Sequence, residues 1–148
     1  MTNAITIALC LTLVSCSSFR GPMIRPFSAP EAAQPIGPYS HGVECSGRMI
    51  FMSGQIPLRA DGTMVEGSIH DQTKQVFANI RTVLASQGAS LNNVVKTTVF
   101  LQSMGDFAGM NEIYAAEMGD HRPARSAVEV AKLPKNALVE IEVIACMP

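Results

Sequence analysis

Between residues 138 and 145 the chain alternates without interruption. Val139, Ile141, Val143 and Ala145 fall on one side of an extended strand, and Leu138, Glu140, Glu142 and Ile144 on the other. Such a strand needs a cover for its apolar side, and its carboxylate side must face water or a cavity made with another subunit. Candidates for the cover stand upstream. Ser68 followed by Asp71 makes a capping box, after which Ile69, Thr73, Val76, Phe77, Ile80, Val83 and Leu84 recur at helical spacing up to Gly88. Asp106 is placed to cap a second helix with Phe107, Met110, Ile113, Tyr114 and Met118 as its apolar stripe. Residues 94–101 are β-branched and alternating, with Val95, Thr97, Val99 and Leu101 on one face. Residues 42–45 and 49–53 read as a hairpin around Ser46-Gly47-Arg48, and Asp61-Gly62 marks the next tight turn. Residues 125–131 and 138–145 read as an antiparallel pair that closes the chain. The order is ββαβαββ, an α+β domain with its helices on one sheet face.

At 148 residues the chain has the length of one domain, which we divide into an N-terminal segment, 1–22, and a folded unit, 23–148. Residues 1–19 carry no charge, and an apolar run from Ile5 ends at Leu13-Val14-Ser15-Cys16. That resembles a bacterial lipoprotein signal with Cys16 as a lipid anchor, although Met1 to Ala4 lack the usual basic residue. An extension upstream of Met23, or an organelle presequence, fits equally. The run is too short for a bilayer span, which needs about 20 apolar residues. Five prolines between 22 and 38 dictate an extended arm that contacts elsewhere must hold.

Hydrophobic residues reach 47% against 16% charged, an apolar surplus that points to burial in a membrane or in an oligomer interface. Eleven Lys and Arg against twelve Asp and Glu leave a net charge of −1 without a basic cluster, which argues against binding through nucleic-acid phosphates. Cys10, Cys16, Cys45 and Cys146 contain no CxxC, so neither a zinc site nor a disulfide framework is implied. His41, His70 and His121 lack ligand spacing and read as surface or capping residues. Ser53-Gly54-Gln55 lacks the glycine pattern of a nucleophile elbow, and no glycine-rich nucleotide loop is present. What remains is Arg125 near Glu129 on one strand, with Glu140 and Glu142 on what reads as its partner. On periodicity alone the plain interpretation, a cross-strand ion pair on a wet face, is preferred. Tyr39 serves equally as an anchor for the arm or as a ligand contact.

Longer matches add to this. Ile36-Gly37-Pro38-Tyr39-Ser40, Ser53-Gly54-Gln55-Ile56-Pro57, Asn93 to Phe100, Asn111-Glu112-Ile113-Tyr114, Arg122-Pro123-Ala124-Arg125-Ser126 and Leu133-Pro134-Lys135 with Val139 to Glu142 run in one order over residues 30–146. Together they resemble the RidA/YjgF family of enamine/imine deaminases, also described as L-PSP endoribonucleases. The resemblance implies a chorismate-mutase-like fold and a homotrimer whose sheets form a central barrel, with active sites between subunits. It implies that Arg125 grips a substrate carboxylate and that Glu140 holds the attacking water. It makes Tyr39, Ser53, Gly54, Asn111 and Ala127 lining residues, Ala127 standing where many bacterial relatives carry Cys. It implies no metal or organic cofactor, and hydrolysis of 2-aminoacrylate and 2-iminobutyrate to 2-oxo acids and ammonia in the cytoplasm, or in an envelope or organelle if 1–22 is a targeting signal. An RNA-cleaving or translation-inhibiting protein is the second expectation, disfavoured by 5% aromatics, no Trp and the net charge. A noncatalytic ligand-binding or holdase trimer is the third, disfavoured by the presence of both Arg125 and Glu140.

Overall fold

The computed structural model describes residues 23–148; the apolar segment with Cys10 and Cys16 lies outside them. Six strands and two long helices follow in the order β1 (Met23–Phe27), β2 (Gly42–Ser46), β3 (Arg48–Phe51), α1 (Ile69–Ser86), β4 (Val94–Leu101), α2 (Phe107–Met118), β5 (Ala124–Glu129) and β6 (Val139–Met147). The main sheet has the order β3-β6-β4-β5, while β1 and β2 pair separately. The α+β class therefore holds, with one strand more than expected: the first part of the Pro-rich arm is β1, antiparallel to β2.

Helix α1 begins as its capping box requires. The Ser68 side chain accepts from the Asp71 N–H, and the Asp71 carboxylate accepts from the Ser68 N–H at 3.1 Å. Donation from the Ser68 hydroxyl to the Asp71 carboxylate at 2.6 Å, with that from the Ser68 N–H second, holds the Asp71 carboxyl below its ordinary value. Asp106, by contrast, makes no side-chain cap. It ends a short 3₁₀ turn in helical conformation, and Ser103 accepts from Gly105 N–H instead. Both helices lie on the face of β4 and β6 that carries Thr97, Val99, Leu101, Val139, Ile141 and Val143, all buried. Phe77 and Tyr114 meet edge to face at 5.5 Å between ring centroids, and the Tyr114 hydroxyl shares a 2.9 Å hydrogen bond with Thr97 Oγ1. That partner satisfies the one polar atom Tyr114 brings into the core.

Two expected strand pairings do not form. β2 and β3 are consecutive but belong to different sheets, because the chain bends at Gly47, where a Cβ would lie 2.1 Å from the Met147 carbonyl oxygen. β5 does not pair with β6. It runs parallel to β4 after the α2 crossover, and β6 pairs antiparallel to β4 on its other side. The return from β5 is too long for a tight hairpin. It includes a 3₁₀ turn, Pro134–Asn136, in which Lys135 and Asn136 take φ of 54° and 57°, and it carries the chain across β4. Buried Gln72 secures this return by accepting from Leu138 N–H at 2.8 Å.

A disulfide joins Cys45 on β2 to Cys146 on β6, against the expectation from cysteine spacing. Spacing patterns detect only clustered cysteines, whereas this pair is brought together from 101 residues apart by the fold.

Candidate functional site

Strand β5 lies at the sheet edge and turns Arg125 toward α2. There Phe107, Asn111 and Tyr114, at positions i, i+4 and i+7, share one helical face. The Arg125 guanidinium carbon lies 4.7 Å from the Tyr114 ring centroid, 5.7 Å from that of Phe107 and 5.0 Å from that of Tyr39. Its Nη1 donates to Asn111 Oδ1 at 2.6 Å. Three electron-rich ring faces and an amide oxygen thus fix a cation whose planar fork has donors to spare.

The Tyr39 wall belongs to the arm. Ile36 N–H donates to the Tyr39 hydroxyl at 3.3 Å, and Ser40 N–H donates to the Pro123 carbonyl beside β5. A side chain at Gly37 would stand 2.9 Å from Arg125 Nη2, so glycine is what lets the arm pass over the guanidinium.

Among the described residues no carboxylate lies within ion-pair distance of Arg125; the three ion pairs are Arg25–Glu44, His70–Glu112 and Arg81–Glu117. Burial pushes the guanidinium below its ordinary value, against the opposing pull of Tyr114 and Tyr39, yet an arginine remains charged. A half-buried cation with no counterion among the described residues, at a pocket of about 270 Å³ lined by Ile36, Tyr39, Met104, Phe107, Arg125 and Ala127, has the chemistry to accept a small anion. A larger groove of about 540 Å³ runs between residues 54–60 and α1. Its Asn79 donates to the Ile56 and Leu58 carbonyls and accepts from Gln75, so these amides are already engaged.

Glu140 lies elsewhere. It stands opposite Phe100 on β4, whereas Arg125 stands opposite Thr97, so the two project from opposite faces of one sheet with β4 between their strands. The expected neighbouring Arg and Glu of a terminal hairpin is thereby corrected. The segment Ser53-Gly54-Gln55 runs along β6, where Gln55 and Ile141 exchange backbone hydrogen bonds of 2.9 and 3.1 Å. A Cβ on Gly54 would be 1.9 Å from Glu140 Oε1, so the carboxylate rests on bare backbone. The same outer face carries Lys96, whose Nζ donates to Ser126 Oγ at 2.7 Å, and Glu142. Burial pushes the Lys96 ammonium down, and Glu142 opposes it.

The expected residues therefore form two groups: Tyr39, Asn111, Arg125 and Ala127 at the pocket, and Ser53, Gly54 and Glu140 on the other side. The sequence marks Phe107 and Tyr114 as a core stripe, with Tyr114 and Gly37 also inside matching stretches, and assigns none of the three to the site. Rings that stack on a cation have the same helical spacing as rings that fill a core. No group of three or more possible metal ligands occurs among the described residues. His70 pairs with Glu112 at 2.9 Å, and His121 donates to the Val94 carbonyl.

Residues 29–147 match the family model described as Endoribonuclease L-PSP. A RutC family protein of Pyrococcus horikoshii is 52% identical over 115 residues, covering 77% of this chain and 90% of that protein. A 2-iminobutanoate/2-iminopropanoate deaminase of Dermatophagoides farinae is 43% identical over 121 residues, 81% of this chain and 94% of its own length. The mitochondrial protein MMF1 of Saccharomyces cerevisiae is 42% identical over 122 residues, 82% and 83% respectively. Among solved structures, a Rid-family protein of Yersinia pestis superimposes with a TM-score of 0.72 at 34% identity, covering 84% of this chain and 98% of that one. TdcF of E. coli, crystallised with bound serine, superimposes at 0.64 with 35% identity, covering 84% and 99%.

Proposed function

Since the chain belongs to the RidA/YjgF family, we propose that it is a hydrolytic deaminase of small enamino and imino acids, converting 2-aminoacrylate and 2-iminobutyrate to 2-oxo acids and ammonia. The observation that carries this reading is the uncompensated Arg125 guanidinium in a pocket of small-molecule size. The substrate carboxylate takes the free donors of the fork, which leaves the adjacent imine carbon as the electrophile. Water held by Glu140 adds to that carbon; its oxygen forms the new C–O bond, and a proton passes through the carboxylate to nitrogen. The new hydroxyl then gives its remaining proton to nitrogen through the same carboxylate, so that the C–O bond becomes a carbonyl as the C–N bond breaks and ammonia leaves. 2-Aminoacrylate enters this sequence after one proton moves from its nitrogen to its terminal carbon.

Because Arg125 and Glu140 point from opposite faces, both can reach one substrate only if Glu140 comes from a second copy. A homotrimer with sites between subunits satisfies this. Phe51 at 74% exposure, Val128 at 43% and Met49 at 39%, all on the outer sheet face, favour such an assembly. No helix among the described residues is long and apolar enough to cross a membrane. The Cys45–Cys146 disulfide and the uncharged, apolar character of residues 1–19 favour an oxidising compartment over the cytoplasm.

The test is ammonia release from freshly generated 2-iminobutyrate. Acceleration by wild-type protein, lost in Arg125→Ala, supports the assignment; rates equal to buffer overturn it, and cleavage of single-stranded RNA without imine hydrolysis would replace it with the nuclease reading.

A further inference from the structure

We propose that His41 is a positioning residue for carboxylate binding: its ring ties down the Pro-rich arm and so keeps Gly37 and Tyr39 against the Arg125 guanidinium. This rests on reading the Arg125 pocket as a carboxylate site.

Both ring nitrogens of His41 reach back into the arm. Nδ1 accepts from Ala29 N–H at 3.2 Å and from the Ser28 hydroxyl at 3.1 Å, and Nε2–H donates to the Ala33 carbonyl at 2.8 Å. Only the neutral ring with its proton on Nε2 makes all three bonds, since a carbonyl can only accept and Nδ1 must be free to accept. One side chain thus closes the loop from Ser28 to His41 upon itself.

The next residues after Ala33 are the wall of the pocket. Residues 34–39 are suspended between two fixed points, Ala33 on the His41 ring and Ser40 on the Pro123 carbonyl. Within that span Pro35 and Pro38 lock their own φ angles, and Tyr39 is tethered by its N–H to Gly37 O at 2.8 Å and by its hydroxyl to Ile36 N–H. A short, stiff span with both ends held can present only a narrow range of positions to Arg125. Without the imidazole, the next ladder contact on the N-terminal side is Phe27 of β1, paired with Gly42, so residues 28–39 become free together. The arm then leaves the guanidinium for part of the time, and apparent affinity falls by the docked fraction.

The experiment compares wild type, His41→Ala and His41→Gln, with 2-oxobutyrate as the probe in calorimetric titration and 2-iminobutyrate in kinetics. His41→Gln keeps an oxygen that can accept from Ala29 and an amide that can donate to Ala33. The expected result is Kd for 2-oxobutyrate and KM both raised about tenfold in His41→Ala, kcat within about twofold and most of the loss recovered in His41→Gln. Wild-type affinity in His41→Ala, or a fall in kcat at unchanged KM, overturns the role of His41 while leaving the Arg125 site standing. Failure of 2-oxobutyrate to bind the wild type overturns the carboxylate site and this inference with it.

Discussion

Arg125 and Gly54 concentrate the chemistry that single residues can be asked to do. Arg125→Lys keeps the charge but loses the planar fork and its stacking on Tyr39, Phe107 and Tyr114. We expect kcat/KM for 2-iminobutyrate to drop by about 30- to 160-fold, equivalent to about 2–3 kcal/mol, with the melting temperature nearly unchanged. A structural role for Arg125 would show the reverse pattern. Gly54→Ala acts by displacement alone: its new methyl occupies the space of the Glu140 carboxylate, 1.9 Å away, so Glu140 must leave its place. Turnover should fall to the level of Glu140→Gln while binding of 2-oxobutyrate persists, as single-turnover kinetics beside a titration would reveal. Of these residues Arg125 and Glu140 were named by motif. That they face opposite ways was not legible, because the intervening strand belongs to another stretch of sequence.

Helix α1 shows what local sequence encodes well. Its start rests on Ser68 and Asp71, three residues apart, and both reciprocal bonds of that box are formed. Ser68→Ala should cost about 1 kcal/mol at neutral pH, measurable by urea unfolding. The Asp71 carboxyl sits below its ordinary value of 3.8 in the folded chain, so its stabilisation is complete above that pH and is lost as pH falls through the depressed value. The gap between wild type and Ser68→Ala should therefore narrow in acid. Strand faces were equally legible, since residues 95–101 and 139–145 bury alternate side chains as the period of two requires. Strand neighbours were not. A period of two assigns faces but carries no information on partners, so β6 could be read beside β5 although it lies between β3 and β4. The same blindness concealed β1, whose prolines indicate an extended arm held by contacts elsewhere without naming β2 as the partner; Pro26 is accommodated because β1 lies at the edge of a two-stranded ribbon.

At the scale of the whole molecule, the opposed faces of Arg125 and Glu140 make a prediction about mixtures. Arg125→Ala and Glu140→Gln should each be inactive alone. Unfolded together and refolded as mixed trimers, they should regain about a quarter of wild-type activity per site, because random assembly pairs an intact Arg125 with an intact Glu140 from the neighbour in that proportion. A mixture as inactive as its parts would place both residues' work within one chain. Mass photometry of residues 23–148 should show a trimer at micromolar concentration, and a monomer there would remove the shared site. The crosslink between Cys45 and Cys146 has a different, mechanical consequence. Tension applied at the two ends of the oxidised chain is transmitted through the sulfur bridge, and the 101-residue stretch it spans bears none of it. Stretched in a force spectrometer, the oxidised molecule should come up short of the reduced one by about 340 Å of contour length. A processive unfoldase threading from either terminus would meet the same closed ring, and could pass it only by admitting two strands of chain side by side.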